Sequence, residues 1–191
     1  MSYPSYLEQS EEIVENAGDL IVPEGTQVEW SGVSKNAKLI SVIFSDSTYK
    51  YTRDGFKVSR RFLENDQMEV RLDNKFIPKT DTLLHRIQVI KDQYPSIQIT
   101  EREDSLTTGM HYFSGESRDD YGLKAVMFHY ELRNNNLVKL EKNIAVPGIT
   151  GNKSPVSLSF DISKLPLELE DEVVYYFMVY DNDGVNGSKS S

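Results

Sequence analysis

Tyr112-Phe-Ser-Gly-Glu-Ser-Arg-Asp-Asp-Tyr-Gly-Leu-Lys-Ala-Val-Met-Phe-His-Tyr-Glu-Leu132 is the stretch whose reading decides the fold. It reads as a strand, a polar turn closed by Asp119-Asp-Tyr-Gly122, and a second strand. Apolar residues recur at alternate positions on either side of the turn formers. A weaker copy is Val28-Glu-Trp-Ser-Gly-Val-Ser-Lys-Asn-Ala-Lys-Leu-Ile-Ser-Val-Ile-Phe44. In both, an aromatic (Trp30 or Phe113) precedes Ser-Gly, a polar loop and a half-apolar alternating run. The recurrence indicates two copies of one β unit, and so two similar domains in tandem.

The neighbouring sequence extends this pattern. Before the first copy, Asp19-Leu-Ile-Val-Pro23 reads as a short strand ahead of a Pro23-Glu-Gly25 turn, and Pro23 marks an edge or a strand end. After it, strands are expected at Lys38–Phe44, around Tyr49–Tyr51, at Gly55–Val58, at Met68–Leu72 and at Thr82–Ile90. Loops at Ser34–Ala37 and Thr52–Gly55 separate them. Lys91-Asp-Gln-Tyr-Pro95 is the expected boundary, because Pro95 cannot continue a hydrogen-bonded ladder. Beyond it, strands are expected at Ser96–Thr100, Leu106–Phe113, Leu123–Leu132, Leu137–Val146, Val156–Phe160 and Glu172–Tyr180, with Pro147–Pro155 as a loop. Met68–Leu72 corresponds to Glu172–Tyr180. The first copy has one more strand after it, and the second ends too soon for a full match.

The fold expected is therefore all-β: two tandem immunoglobulin-like β-sandwiches, the second with its last strand short or missing. The expected domains are 1–92 and 93–191, with 1–18 an extended or partly helical lead-in. Sandwiches of roughly 90–100 residues fit this length. The chain stops in polar, turn-like residues, which reads as an excised fragment.

Composition narrows the function. A net charge of −9 disfavours nucleic acid and anionic lipid, which need clustered Lys and Arg. The chain has no cysteine, which removes disulfides, thiolate nucleophiles and Cys-ligated metals. No apolar run approaches the roughly 20 residues of a spanning helix, and the first residues do not read as a signal peptide.

Candidate chemistry is sparse. Asp181-Asn-Asp-Gly-Val-Asn-Gly187 begins like a calcium loop, with Asp181 and Asp183 as ligands and Asp119-Asp120 as a second acidic loop. Val185, however, stands where a further ligand belongs. A hairpin turn explains the same residues. Asp119 and Asp120 are adjacent, so on a strand they point to opposite faces and form no catalytic carboxyl pair; an Asx-turn is the plainer reading. Gly148–Ser154 lacks the Gly-Lys pair of a phosphate loop, and no nucleophile elbow is present. His85, His111 and His129 are scattered on strands and read as structural, with His129 facing out or partly out. Trp30, Tyr175, Tyr176 and Tyr180 are candidate binding aromatics for a glycan or a protein, against an ordinary role in cross-strand packing.

Four stretches resemble a known family: Glu15–Thr26, Asp92–Ile97, Asp119–Gly122 and Tyr175–Gly187. The family consists of large bacterial membrane proteins of unknown function. In it, hydrophobic N-terminal segments precede tandem immunoglobulin-like domains, followed by long helical, low-complexity regions. The resemblance implies a soluble part of a membrane-anchored protein on the extracytoplasmic face of a bacterial membrane. It supplies no catalytic residues and no cofactor. The expected function is thus a non-catalytic structural and protein-interaction module, contacting a protein partner or other regions of its parent chain, with no direct membrane contact of its own. The alternative is a ligand-binding module, for a glycan or for calcium.

Overall fold

Among the described residues the alternating pattern is realised as thirteen strands, and helical geometry is confined to short 3-10 turns at Ser5–Leu7 and Ile162–Lys164. The computed structural model describes residues 1–35, 37–52, 54–74, 81–183 and 189–191, with the backbone alone for Asp81. The loops expected at Ser34–Ala37 and Thr52–Gly55 each contain one residue outside this set, and the turn after Asp183 lies outside it altogether. The chain divides into two compact units, Met1–Asp92 and Gln93–Ser191.

The first unit contains β1 (Leu20–Pro23), β2 (Gln27–Val33), β3 (Leu39–Ile43), β4 (Thr48–Tyr51), β5 (Gly55–Arg61), β6 (Asp66–Asp73) and β7 (Asp81–Ile90). A five-stranded sheet in the order β1-β7-β6-β3-β4 faces a two-stranded sheet of β2 and β5. Alternate residues point inward: Val28 and Val58 from the small sheet meet Ile40, Val42, Met68, Val70 and Ile87 from the large one. Trp30 packs on Phe44 and Phe62 at ring-centroid distances of 5.9 and 5.6 Å. Strand β1 ends where Pro23 has no N–H to donate, and it pairs in parallel with β7 at the sheet edge. The chain then crosses to the other sheet through a turn held by the Thr26 hydroxyl, which donates to Pro23 O at 2.7 Å. Gly25, at φ 85°, supplies the left-handed residue this turn requires.

The second unit contains β8 (Ser96–Glu103), β9 (Met110–Arg118), β10 (Leu123–Asn134), β11 (Leu137–Ala145), β12 (Lys153–Asp161) and β13 (Asp171–Asp181). Its two three-stranded sheets run β11-β10-β13 and β12-β9-β8. Phe113, Val156 and Phe160 from one sheet pack on Val126, Phe128, Tyr130 and Val179 from the other. The organising stretch is β9, turn and β10, and the turn carries the chain from one sheet to the other. Asp119 folds it: one carboxylate oxygen accepts from Tyr121 N at 3.0 Å and Gly122 N at 2.7 Å.

The tandem β-sandwich is the architecture observed, with β2, β3 and β6 corresponding in order to β9, β10 and β13. After β6 comes the ten-residue β7; after β13, among the described residues, Lys189–Ser191 return to pair with it. The two copies differ at their first strand. β1 joins the sheet of β6 and β7, whereas β8 pairs with β9 in the opposite sheet. Pro23 limits β1 to four residues, while β8 runs for eight and lies close against Gly115.

Several local expectations are corrected. Of the two forms expected for the lead-in, Glu8–Glu15 takes the non-helical one, where Ile13 and Val14 are exposed and give no apolar face to bury. β9 begins at Met110 rather than Leu106, because Asp104 accepts from Leu106 N and Gly109 turns at φ 87°. β12 begins at Lys153 and includes Pro155, tolerated because β12 is a sheet-edge strand. His129 lies on the outer face of its sheet as its alternation predicts, yet it is only 3% exposed, since strand neighbours cover it.

Candidate functional site

The feature that distinguishes the second unit is one side of β13. Val179 exchanges both backbone hydrogen bonds with Ser191, at 3.1 and 3.2 Å, and Asp181 N donates to Lys189 O at 3.2 Å. In an antiparallel ladder, alternate residues point their N–H and C=O to the same side. Val173, Tyr175 and Phe177 therefore turn theirs to the side of Val179, away from β10. Among the described residues no backbone group pairs with them there. Asp171 N is already taken by Glu168 O at 3.2 Å. The result is an open lane beside Glu172–Met178, in a run without charge from Val173 to Met178.

The core behind the lane is partly open as well. Val173, Tyr175 and Phe177 point into the core but stay half-buried. The matching strand β6, covered by β7, has its inward Met68 and Val70 only 2% and 4% exposed. The wall facing the lane is β8, where Ile97 and Ile99 pack inward and Glu101 and Glu103 continue the same alternation. Glu101 accepts from the Tyr175 hydroxyl at 2.7 Å and lies 2.6 Å from His111 Nδ1. These bonds, Tyr175's first, hold the Glu101 carboxyl below its ordinary pKa. Burial, and then the bond to Glu101, push the Tyr175 hydroxyl up to about 12. Glu101, Glu103 and His111 place ligand atoms within 4.8 Å of one another, the one such group among the described residues. Sequence reasoning missed this cluster. The signal was Ile97-x-Ile99-x-Glu101-x-Glu103, which puts carboxylates on an otherwise apolar face.

The acidic loops lie at another end of this unit. Asp181 and Asp183 are buried, Asp119 is half-buried and Asp120 is exposed. Asp181 accepts from Lys189 N at 2.7 Å, and Lys189 Nζ sits 3.4 Å from Asp183. Asp119 is raised above the ordinary carboxyl range, first by burial and then by the charges of Asp120 and Asp181, against the pull of its two backbone donors. These four carboxylates do not form a group of the tightness seen at Glu101, Glu103 and His111.

The candidate aromatics separate. Trp30 is spent on the Phe44 and Phe62 contacts of the first unit, and Tyr175 on the core of the second. Tyr176, 44% exposed, and Tyr180 share the outer face of the β11-β10-β13 sheet by alternation, and Tyr180 donates to Met178 Sδ at 3.4 Å. The Tyr176 ring lies 4.5 Å from that of His129.

His129 is held by acceptors on both ring nitrogens, Glu131 at 3.0 Å and Asn143 at 2.8 Å. That arrangement suits the imidazolium, and the Glu131 bond followed by the Asn143 bond raises its pKa above 6.5. A raised folded-state pKa contributes stability fully below pH 6.5, and that contribution is lost as pH rises through the folded value. The second unit should therefore lose stability on going from mildly acid to mildly alkaline pH, and His129→Gln should flatten this slope. Urea unfolding of both proteins across that range checks it. The partners of the histidines are Gly18 O for His85, Glu101 for His111, and Glu131 with Asn143 for His129. This is how structural histidines are bonded, and no Ser-His pairing of a nucleophile appears among these contacts.

No family model matches the chain, and no curated protein matches it. Among solved structures, it is similar to a chimeric titin Z1Z2-Z1Z2 tandem at 9% identity and TM-score 0.33, covering 91% of this chain and 92% of that one. It is also similar to the fibronectin(III)-like modules of Clostridium thermocellum CbhA, at 10% identity and TM-score 0.31, covering 93% and 88%. A third likeness is to Bacteroides uniformis beta-glucuronidase 3, at 12% identity and TM-score 0.29, covering 91% of this chain and 23% of that one. These likenesses are loose, and the architecture rests on the strand pairings themselves: two β-sandwich units in tandem, the second open along β13.

Proposed function

We propose that the chain is a non-catalytic structural and protein-interaction module of a bacterial cell-envelope membrane protein, on the extracytoplasmic side. The observation that carries this reading is the outer face of the β11-β10-β13 sheet, where Tyr176 stands 44% exposed within the uncharged, aromatic run Val173–Met178. An exposed tyrosine offers a large apolar ring with a polar tip, the kind of side chain enriched at protein interfaces. The membrane context rests on the family resemblance of the sequence; no helix among the described residues is long and apolar enough to cross a membrane. A photo-crosslinking amino acid at position 176, beside the lane and on the exposed face, tests the reading in cells producing the parent protein. Covalent adducts to polypeptide are expected; adducts to glycan or lipid alone, or none, contradict it.

A calcium-binding reading has one observation in its favour, the raised Asp119 carboxyl near Asp181. A cation would offset the cost of burying that carboxylate and, after it, the repulsion from Asp120 and Asp181. The module reading expects thermal unfolding to be unchanged by millimolar calcium and by subsequent chelator. A rise of several degrees, reversed by chelator, would bring Asp119, Asp181 and Asp183 forward as ligands.

A further inference from the structure

We propose that a cavity under β11 binds a small organic acid, an aromatic or branched apolar body carrying one carboxylate. The cavity measures about 390 Å³, within the roughly 300–1,000 Å³ usual for small-molecule sites. Every residue lining it lies between Met110 and Pro166, and none belongs to β13.

The topology makes this cavity. β11 and β12 each stand at the edge of their sheet. Tyr130 on β10 lies opposite Lys142 on β11, and Leu132 opposite Leu140, so these four side chains share the inner face. The other wall is the end of β12 and the 3-10 turn that follows it. Ile162 N donates to Gly109 O at 2.8 Å and Leu165 N to Ile162 O at 3.0 Å, which fixes that wall on the start of β9. Met110, Leu140, Phe160 and Leu165 supply the apolar lining.

The polar groups select the ligand. Tyr130 lines the cavity at 5% exposure, its ring 4.9 Å from that of Phe160. Among the described residues its hydroxyl has no hydrogen-bond partner, whereas a buried tyrosine hydroxyl ordinarily finds one. A ligand carboxylate supplies that acceptor. Lys142, opposite Tyr130, has no carboxylate within ion-pair distance among the described residues. Asp161, the one carboxylate of the lining, is already engaged: it accepts from the N–H and hydroxyl of Ser163 and lies 3.2 Å from Lys164 Nζ. Two lysines against one carboxylate leave this cavity locally positive in a chain of net charge −9. A glycan, hydroxylated all round, would set polar groups against Met110, Leu140 and Leu165 without partners.

The test uses the whole chain with naphthylacetate and its neutral twin, naphthylacetamide. Backbone amide resonances of Tyr130, Lys142 and Leu165 should shift saturably with millimolar naphthylacetate, and the neutral twin should bind about tenfold more weakly. Tyr130→Phe keeps the ring and removes the hydroxyl; it should weaken naphthylacetate by about tenfold, as expected for a hydrogen bond to a charged group. Lys142→Glu, at an exposed position, should also weaken naphthylacetate and leave naphthylacetamide unchanged. Urea unfolding shows whether each variant keeps the fold; should Tyr130→Phe lose it, Lys142→Glu decides alone. Absence of a saturable shift, shifts centred elsewhere, equal binding of acid and amide, or indifference to Lys142→Glu would overturn the proposal. The cavity lies on the inner side of the sheet whose outer face carries Tyr176, so crosslinking at position 176 succeeds or fails independently of it.

Discussion

Phe128→Ala is expected to destabilise the second unit by about 3–5 kcal/mol, the usual cost of truncating a fully buried phenylalanine. Phe128 is 0% exposed and sits where both sheets meet, 4.9 Å from Phe160, 5.0 Å from Phe177 and 5.3 Å from Phe113, centroid to centroid. Truncation removes the ring on which the other three pack, and strands β9, β10, β12 and β13 cannot all close on the void. The chain reports each unit separately, because its one tryptophan, Trp30, lies in the first. In urea, the circular dichroism signal should acquire an early transition, while Trp30 fluorescence keeps its wild-type midpoint. An unchanged dichroism curve would mean that the ring is not the centre of this core.

Gly115→Ala is the second large effect. A Cβ at Gly115 would stand 1.9 Å from Gln98 O and 3.0 Å from Ile99 Cα, on the neighbouring strand β8. Backbone cannot yield as a side chain end can, so the β8–β9 ladder must part or shift. A loss of about 3 kcal/mol is expected, at the upper end of overpacking costs. Gly32, the glycine at the same place in the first copy, offers a control. There the Cβ would meet the Phe56 ring at 2.5 Å, and a ring can turn aside. Gly32→Ala should therefore cost less than Gly115→Ala when both are measured by chemical denaturation.

This pair shows how far the sequence was legible. The recurrence of an aromatic followed by Ser-Gly, at Trp30 and Phe113, correctly marked corresponding strands β2 and β9. It did not show why glycine is needed, since the cause at Gly115 is a carbonyl seventeen positions back in sequence, Gln98 O. Inward positions such as Ile40, Val42 and Phe44, or Val126, Phe128 and Tyr130, were readable because period-two alternation is local. Pairing partners were less so. Pro23 identified an edge strand, but its parallel partner β7 is sixty-odd positions away, and nothing near Leu20 announces it. For His129 the face was read correctly and the burial was not, because Tyr176 and Asn143 reach it only across neighbouring strands. The likeness of Met68–Leu72 to Glu172–Tyr180 was visible from their shared alternation. The acidic wall opposite it was not, because Glu101 meets Tyr175 across the sandwich.

The structural claim most open to a direct test is that, among the described residues, Val173, Tyr175 and Phe177 have no backbone partner on the side of β13 away from β10. Amide hydrogen exchange of the isolated chain, read residue by residue, tests it directly. Glu172, Val174, Tyr176 and Met178 point their N–H groups to β10 and should be protected, whereas Val173, Tyr175 and Phe177 should exchange orders of magnitude faster. Val179, bonded to Ser191, should fall between. Uniform protection from Val173 to Met178 would contradict this pairing.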